Sequence, residues 1–324
     1  MAHRRNEFDV TDRVNTTDIR EVCAAVCRIY EHLYQRDTDP VLLQAFRDFE
    51  RLYRGGHPHY HACDTDYHDI QHVLDVTLAM ARLMDGYVRA TSKANIDGRL
   101  FCFGIITALF HDFGYLRHRN DTRHRHGAEY TRTHVSRGAH YLREYLPTLG
   151  MADLADAAAG VVHFTGYEIP VRDIRVAERF RPIGNLLGSA DMIAQMADRC
   201  YLEKCRDRLY PEFLYGGITR RRTADGTEEV VFGSAAELIY KTPAFYESAS
   251  QRLTVDLQGY YAYVVKHFGG QNVYVDELEK NINHARAIAA EQDVSLLRRQ
   301  PPVTLKAADR VTGDDLQVSD ETHS

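Results

Sequence analysis

The sequence predicts an all-α fold carrying one small β-hairpin, and three observations predict it. Apolar residues recur every three or four positions along most of the 324 residues, the period of a helix with one buried face. Only one short region, 218–232, alternates like a strand, and it contains the turn pair Asp225-Gly226. Neither a Gly-rich phosphate loop nor a repeat of roughly 20–50 residues is present, which disfavours doubly wound nucleotide folds and solenoids.

Taken in order, the first helix is expected near Asp18, whose carboxylate can cap it while Glu21 reaches back, with Val22, Val26, Ile29, Tyr30 and Leu33 on its apolar face. Asp39-Pro40 interrupts the pattern. A second helix over 41–53 stops at Gly55-Gly56, and a third covers 66–84. Further helices read as 99–111, 127–146, 151–163, 181–209 and 243–267. Residues 1–15 are expected to be flexible and 298–324 disordered, the latter from Pro301-Pro302 and a polar, acidic, aperiodic end. Residues 16–297 are thus expected to form a single helical domain, with its chemistry in about 60–200.

A chain that is 44% hydrophobic can bury a substantial core. A formal net charge of -6 and no long basic block give no nucleic-acid surface. No stretch approaches the roughly 18 apolar residues of a membrane span, and the polar first residues lack the apolar core of a signal peptide, so a cytoplasmic, membrane-free protein is expected. The cysteines at 23, 27, 63, 102, 200 and 205 form no CxxC pair and read as reduced core thiols. Cys23 and Cys27 stand one helical turn apart, a spacing open to a metal pair, but small buried hydrophobes are the preferred reading.

The chemistry concentrates in histidines. His68, His72 and Asp75 share one helical face, suited to a metal ligand with a proton carrier one turn away; a polar surface patch beside His57, His59 and His61 is the alternative. His111 and Asp112 end the strongly apolar run 105–110, where burying both is costly unless something compensates their charge. A divalent metal does so, keeping the carboxylate ionised and the imidazole neutral; a structural salt bridge is the other solution. Asp191 is a lone carboxylate in the small-residue apolar stretch 187–196.

The ordered set His72, His111-Asp112 and Asp191 resembles the H…HD…D signature of HD-domain phosphohydrolases. The stretch from His134 to Gly138-Ala139 resembles the third-histidine helix of members that hold two metals, and His163 supplies a fourth histidine. His134, His163 and Asp191 follow Asp112 at successive spacings of 22, 29 and 28 residues, each about one helix plus a connection. His68, His72, Asp75 and Val76 are similar to the HNxxHAxDV pattern of class I cyclic nucleotide phosphodiesterases, with Asp69 and Val73 departing from it. The family lysine of HDxGK is replaced by Tyr115, and neither HDxxHPG nor a cyclic di-nucleotide GYP motif is present.

The resemblance implies a helical HD-domain bundle and a phosphoester hydrolase, nucleotides being among the candidate substrates. It implies two divalent transition metals of open identity (Fe, Mn, Zn or Ni), bridged by Asp112. His72, His111 and Asp191 would hold one and His134 and His163 the other. Water activated between them would attack phosphorus while His68 protonates the leaving oxygen, and Asp75 would orient an imidazole. Arg117, Arg125 and Lys241 are candidates for holding the phosphate, with Arg119 and Arg123 in the same loop as Arg117. With 17 histidines in the chain, His118, His124, His126 and His140 are expected on the surface or behind the ligands, His126 being the rival of His134. Arg220, Arg221 and Arg222 are read as solvated rather than ligand-binding. A di-iron oxygenase acting on a polyol or phosphonate, and a non-catalytic regulatory HD protein, are the competing readings. The expected partner is a small-molecule phosphoester, and self-association is left open.

Overall fold

A computed structural model describes residues 4–91, 96–223 and 225–303. It is mostly helical with one two-stranded antiparallel hairpin, as the sequence predicts. In chain order the helices are α1 (Ile19–Tyr34), α2 (Pro40–Tyr53), α3 (Ile70–Ala90), α4 (Gly98–Leu109), α5 (His134–Thr148), α6 (Ala155–Val161), α7 (Arg181–Ala197), α8 (Tyr201–Lys204) and α9 (Tyr210–Tyr215). Strands β1 (Arg220–Arg222) and β2 (Glu228–Val230) follow, then α10 (Ala235–Gln251), α11 (Val264–His267) and α12 (Val273–Glu291).

The centre of the molecule is α3, packed along α7 on one side and against α1, α4 and α11 on others. Buried on nearly every face down to Tyr87, α3 has the composition of a core helix, with Leu74, Leu78, Met80 and Leu83 among the largest fully buried side chains. Asp69 caps it, its carboxylate accepting from the His72 backbone N–H at 2.9 Å. Helix α4 is buried along 101–109, which delivers His111 and Asp112 into the interior at its C-terminal end. The turn that follows lies so close to α5 that a Cβ on Gly114 would sit 1.8 Å from the His134 carbonyl oxygen, so only glycine fits there.

Several element boundaries differ from the sequence reading. Asp18 caps α1 through the Arg20 N–H, but Glu21 accepts from the Asn15 N–H instead of closing a capping box. The helix expected over 127–146 divides into a single 3-10 turn, Gly127–Tyr130, and α5. The one expected over 181–209 breaks at Asp198, whose carboxylate binds the Cys200 N–H and Lys204. Helix α10 begins at a Ser234 cap, eight residues before Pro243, which it accommodates internally. Helix α12 was not anticipated; its buried face runs Tyr274, Leu278, Asn281, Ile282, Ala285 and Ile288.

The flexible first segment does not hold for residues 4–15. Asp9 is 4% exposed and forms an ion pair with the equally buried Arg82, while Phe8 and Asn15 are bridged. A polar segment earns its place here by supplying the counter-charge of a buried guanidinium. At the other end, residues 298–303 lie within the described structure, with Arg299 N–H donating to Glu203 and Arg206 donating to the Leu297 carbonyl. The remainder of the predicted disordered tail falls outside the described residues. Among the described residues no helix is long and apolar enough to cross a membrane.

Candidate metal centre

Three helices and one turn bring the expected residues together. His72 comes from the first turn of α3, Asp191 from the middle of α7, and His111 and Asp112 from the end of α4. The ligand-type atoms of His72, His111 and Asp191 all lie within 4.8 Å of one another, a group that could hold a metal ion. Asp112 Oδ2 is 3.2 Å from Nε2 of both His72 and His111. Asp191 Oδ1 is 3.5 Å from His72 Nε2 and 3.9 Å from His111 Nε2.

His111 is held by a hydrogen bond of its Nδ1 to the Ala108 carbonyl, 2.7 Å, so Nδ1 donates there and Nε2 faces the carboxylates. His111 Nε2 and Asp112 Oδ2 are both buried and, although 3.2 Å apart, make no well-directed hydrogen bond to each other or to another group among the described residues. Leaving two such atoms unpaired in a protein interior is unfavourable unless a ligand satisfies them. Burial alone would discharge Asp112, yet the imidazoles of His111, His72 and His68 hold its carboxyl well below the usual range. Burial works against the His111 cation too, but Asp112 and Asp191 outweigh it and raise the imidazole to about 9. Strong acids against strong bases at one buried point are what a cation replaces when it displaces the imidazole protons.

The two oxygens of Asp112 face opposite ways. While Oδ2 meets His72 and His111, Oδ1 lies 3.7 Å from His134 Nε2. His134 Nδ1 is bonded to the Thr131 carbonyl at 2.7 Å, leaving its Nε2 to face the centre just as His111 does. Burial lowers the pKa of His134, with Asp112 opposing, which favours the neutral, ligating form. This separates His134 from its rival: His126 spends Nδ1 capping the Ala128 N–H and stacks on Tyr215. His163 is less closely joined, since the carboxylate within 4.0 Å of it is that of Glu168 and its Nδ1 is buried without a hydrogen bond.

Beside the cluster stands a group that sequence reasoning missed. Glu212, 2% exposed in α9, places Oε2 2.6 Å from His68 Nδ1, while its Oε1 accepts from the Tyr67 N–H at 2.6 Å. Burial depresses a histidine, but Glu212 prevails, aided by Asp112 and Asp191, and raises His68 to about 9. Glu212 thus anchors Nδ1 and favours the protonated form of His68. Tyr115 is 2% exposed and stacks on the rings of both His68 and His134, with centroids 4.5 and 4.4 Å away, the two imidazoles being 6.3 Å from each other. It supplies no charge, burial keeping its phenol far above the ordinary value.

The remaining expected residues are engaged elsewhere. Asp75 shares with His72 a cavity of ≈ 10 Å³, near the least that holds one water, and is hydrogen-bonded to Thr16 beside Asp198 and Lys204. Arg117 is paired with Asp64 at 2.8 Å. Arg125 is exposed, and its backbone N–H binds Glu129. Lys241 pairs with Glu237 at 2.6 Å and donates to the Val231 carbonyl. Arg119 binds the Gly55 carbonyl, and Arg220 and Arg221 pair with Glu228 and Glu229 on the hairpin. The phosphate-holding role expected of Arg117, Arg125 and Lys241 is not reflected in these partners, because each cation already has a carboxylate or carbonyl of its own or faces solvent. His124 and His140 pair with Asp121 and Glu144, and His118 stacks on His59.

No family model, no curated protein and no solved structure matches the chain.

Proposed function

We propose that the chain is a metal-dependent hydrolase of phosphoesters in which His68 is the general acid. The observation that carries the reading is the pair of buried ligand atoms without a well-directed hydrogen bond, His111 Nε2 and Asp112 Oδ2, within a cluster completed by His72 and Asp191. Four donors of this kind, two imidazoles and two carboxylates, suit a divalent transition metal. His72, His111, Asp112 and Asp191 would hold one ion. The opposite aim of Asp112 Oδ1, toward His134, supports a second position that His134 and, with some movement, His163 would share. When bound, such ions neutralise charge on phosphoryl oxygens and make water nucleophilic at neutral pH.

The chain's own part is proton delivery and electrostatics. Anchored by Glu212, His68 holds a proton on Nε2 and gives it to the leaving oxygen as the ester bond breaks; the imidazole left behind keeps Nδ1–H on Glu212, which stays ionised throughout. This proton donor beside the cluster favours hydrolysis over the oxygenase and regulatory readings, neither of which requires it.

The test is metal analysis of the purified protein together with release of p-nitrophenol from bis(p-nitrophenyl) phosphate, for wild type and Asp112→Ala. Bound transition metal and metal-dependent turnover lost in Asp112→Ala are expected. Bound iron with no phosphoester cleavage but oxygen consumption would transfer the centre to the oxygenase reading, and a protein that takes up no metal would sink the site itself.

A further inference from the structure

Between His163 and Glu168 the chain turns over the face of the centre where His134, His163 and Asp191 retain partial exposure, 19%, 15% and 13% of their side chains. Tyr167 stands on that turn and is 67% exposed, the most exposed tyrosine of the large hydrophobics on the surface. A single exposed aromatic means little by itself. Three observations set this one apart.

First, its ring lies over a cation. The guanidinium carbon of Arg252 is 4.2 Å from the ring centroid, and Arg252 itself is only 7% exposed, with a buried Nε that has no hydrogen-bond partner. Second, the turn is held and not loose. Arg252 Nη2 donates to the carbonyls of Phe164 and Gly166 at 2.8 and 2.7 Å, Ser136 Oγ donates to Glu168 at 2.7 Å, and a Cβ on Gly166 would come within 2.9 Å of Val135. Third, the turn adjoins the centre, because Glu168, the next residue, brings its carboxylate to 4.0 Å from Nδ1 of His163, a proposed metal ligand. An aromatic ring is thus fixed at the rim of the centre, backed by a cation, with most of its surface open.

We propose that Tyr167 is a stacking platform for the planar ring of an aromatic phosphoester, an aryl or nucleoside ester, whose phosphate lies toward the group formed by His72, His111 and Asp191. This rests on the phosphoester reading above and narrows it, because ribose phosphates and alkyl phosphates offer no π-face to such a platform. A preordered tyrosine costs little conformational entropy on binding, and base–aromatic stacking tolerates many ring types, so the platform selects a ring without specifying which.

The experiment uses two phosphonates whose P–C bonds hydrolysis does not break, phenylphosphonate and methylphosphonate, titrated calorimetrically into the metal-loaded protein. Phenylphosphonate should bind about tenfold or more tightly in wild type, Tyr167→Phe should keep that preference, and Tyr167→Ala should lose it. The chain contains 0 tryptophans, so Tyr167→Trp installs a sole indole; its fluorescence should be quenched by phenylphosphonate and not by methylphosphonate. If both phosphonates bind and the preference is absent in wild type or survives in Tyr167→Ala, the platform is wrong while the phosphoester reading stands. If neither binds, both fall together.

Discussion

Two buried polar regions adjoin along helix α3, where His72 and Asp75 line one cavity, and they differ in one respect. In one, the cluster of His72, His111, Asp112 and Asp191 leaves His111 Nε2 and Asp112 Oδ2 without a well-directed hydrogen bond. In the other, Asp9 is paired with Arg82, which also donates to the Tyr274 hydroxyl at 2.9 Å, and Lys204 donates to Asp198 and Gln71 at 2.5 and 2.9 Å. Asp9 accepts in addition from the Val14 and Arg13 N–H groups. Both regions place ionisable groups where few proteins tolerate them, but in the second the carboxylates Asp9 and Asp198 each have a cation of this chain, and the Arg4 guanidinium beside them pairs with Glu277 at 3.5 Å. Buried charge that is fully paired serves the fold, and buried charge left open is arranged for something that is not protein.

The largest expected effect breaks the second, paired region. Arg82→Ala should destabilise the protein by about 3–5 kcal/mol, because Asp9 would be left buried and charged without its partner. Urea unfolding of metal-free protein measures it. Asp191→Asn, which removes a charge from the open region, should cost far less in the same experiment. Equal losses in the two variants would erase the distinction between the regions.

Metal supply should discriminate in the opposite direction. At a free concentration about 100 times its dissociation constant, a bound transition metal stabilises by about 2.7 kcal/mol, so chelation should lower the melting temperature of wild type. Arg82→Ala, measured relative to its own metal-free form, should retain that increment, and His111→Ala should lose it.

The same contrast governs what could be read from sequence. His72, His111, Asp112 and Asp191 were legible because polar residues interrupt strongly apolar helices, a conflict visible in a short window. The all-helical fold was legible for the same reason that most helix spans were, from periodicity. Glu212 was not, since it meets His68 across 144 residues and stands in a six-residue helix too short to show a period. The ordering of residues 4–15 was hidden likewise, as Asp9 finds Arg82 at a separation of 73. Choosing His134 over His126 required knowing which nitrogen each had already committed to a backbone group. Pro243 misled as a boundary because a helix with enough packing absorbs the hydrogen bond that proline omits.

Glu212→Gln sharpens the comparison at the border of the open region. The amide preserves size and can still accept from Tyr67, but it removes the charge that raises His68 to about 9 against burial. The proton donor would then be lost at a lower pH, so the alkaline limb of the pH–rate profile should shift toward neutrality. Turnover at pH 8 should fall roughly 10-fold, short of the full contribution of a positioned acid. An unmoved alkaline limb would remove His68 from the reaction.

A last effect, spread over several pH units, tests whether the second region is held by protons as well as by ion pairs. It contains three carboxyl groups, Asp9, Asp75 and Asp198, against the cations Arg82 and Lys204, and the surplus falls on Asp75. Burial first, and then Asp198, raise Asp75 to about 8, with Lys204 and the Thr16 hydrogen bond opposing. In the native state Asp75 thus keeps its proton between about pH 4 and 8, while in the unfolded chain it has lost it. The native state binds more protons across that window, so this residue's contribution is fully present below pH 4 and declines as pH rises toward 8. Asp75→Asn is neutral in both states and should flatten that decline, so that, relative to their values at pH 5, the variant gains on wild type as pH rises to 8, by up to about 3–4 kcal/mol. Melting temperatures from pH 5 to 9 on metal-free protein measure the slope. Parallel curves for the two proteins would mean that Asp75 is ionised in the fold, and that Lys204 serves two carboxylates where the balance of charges allots it one.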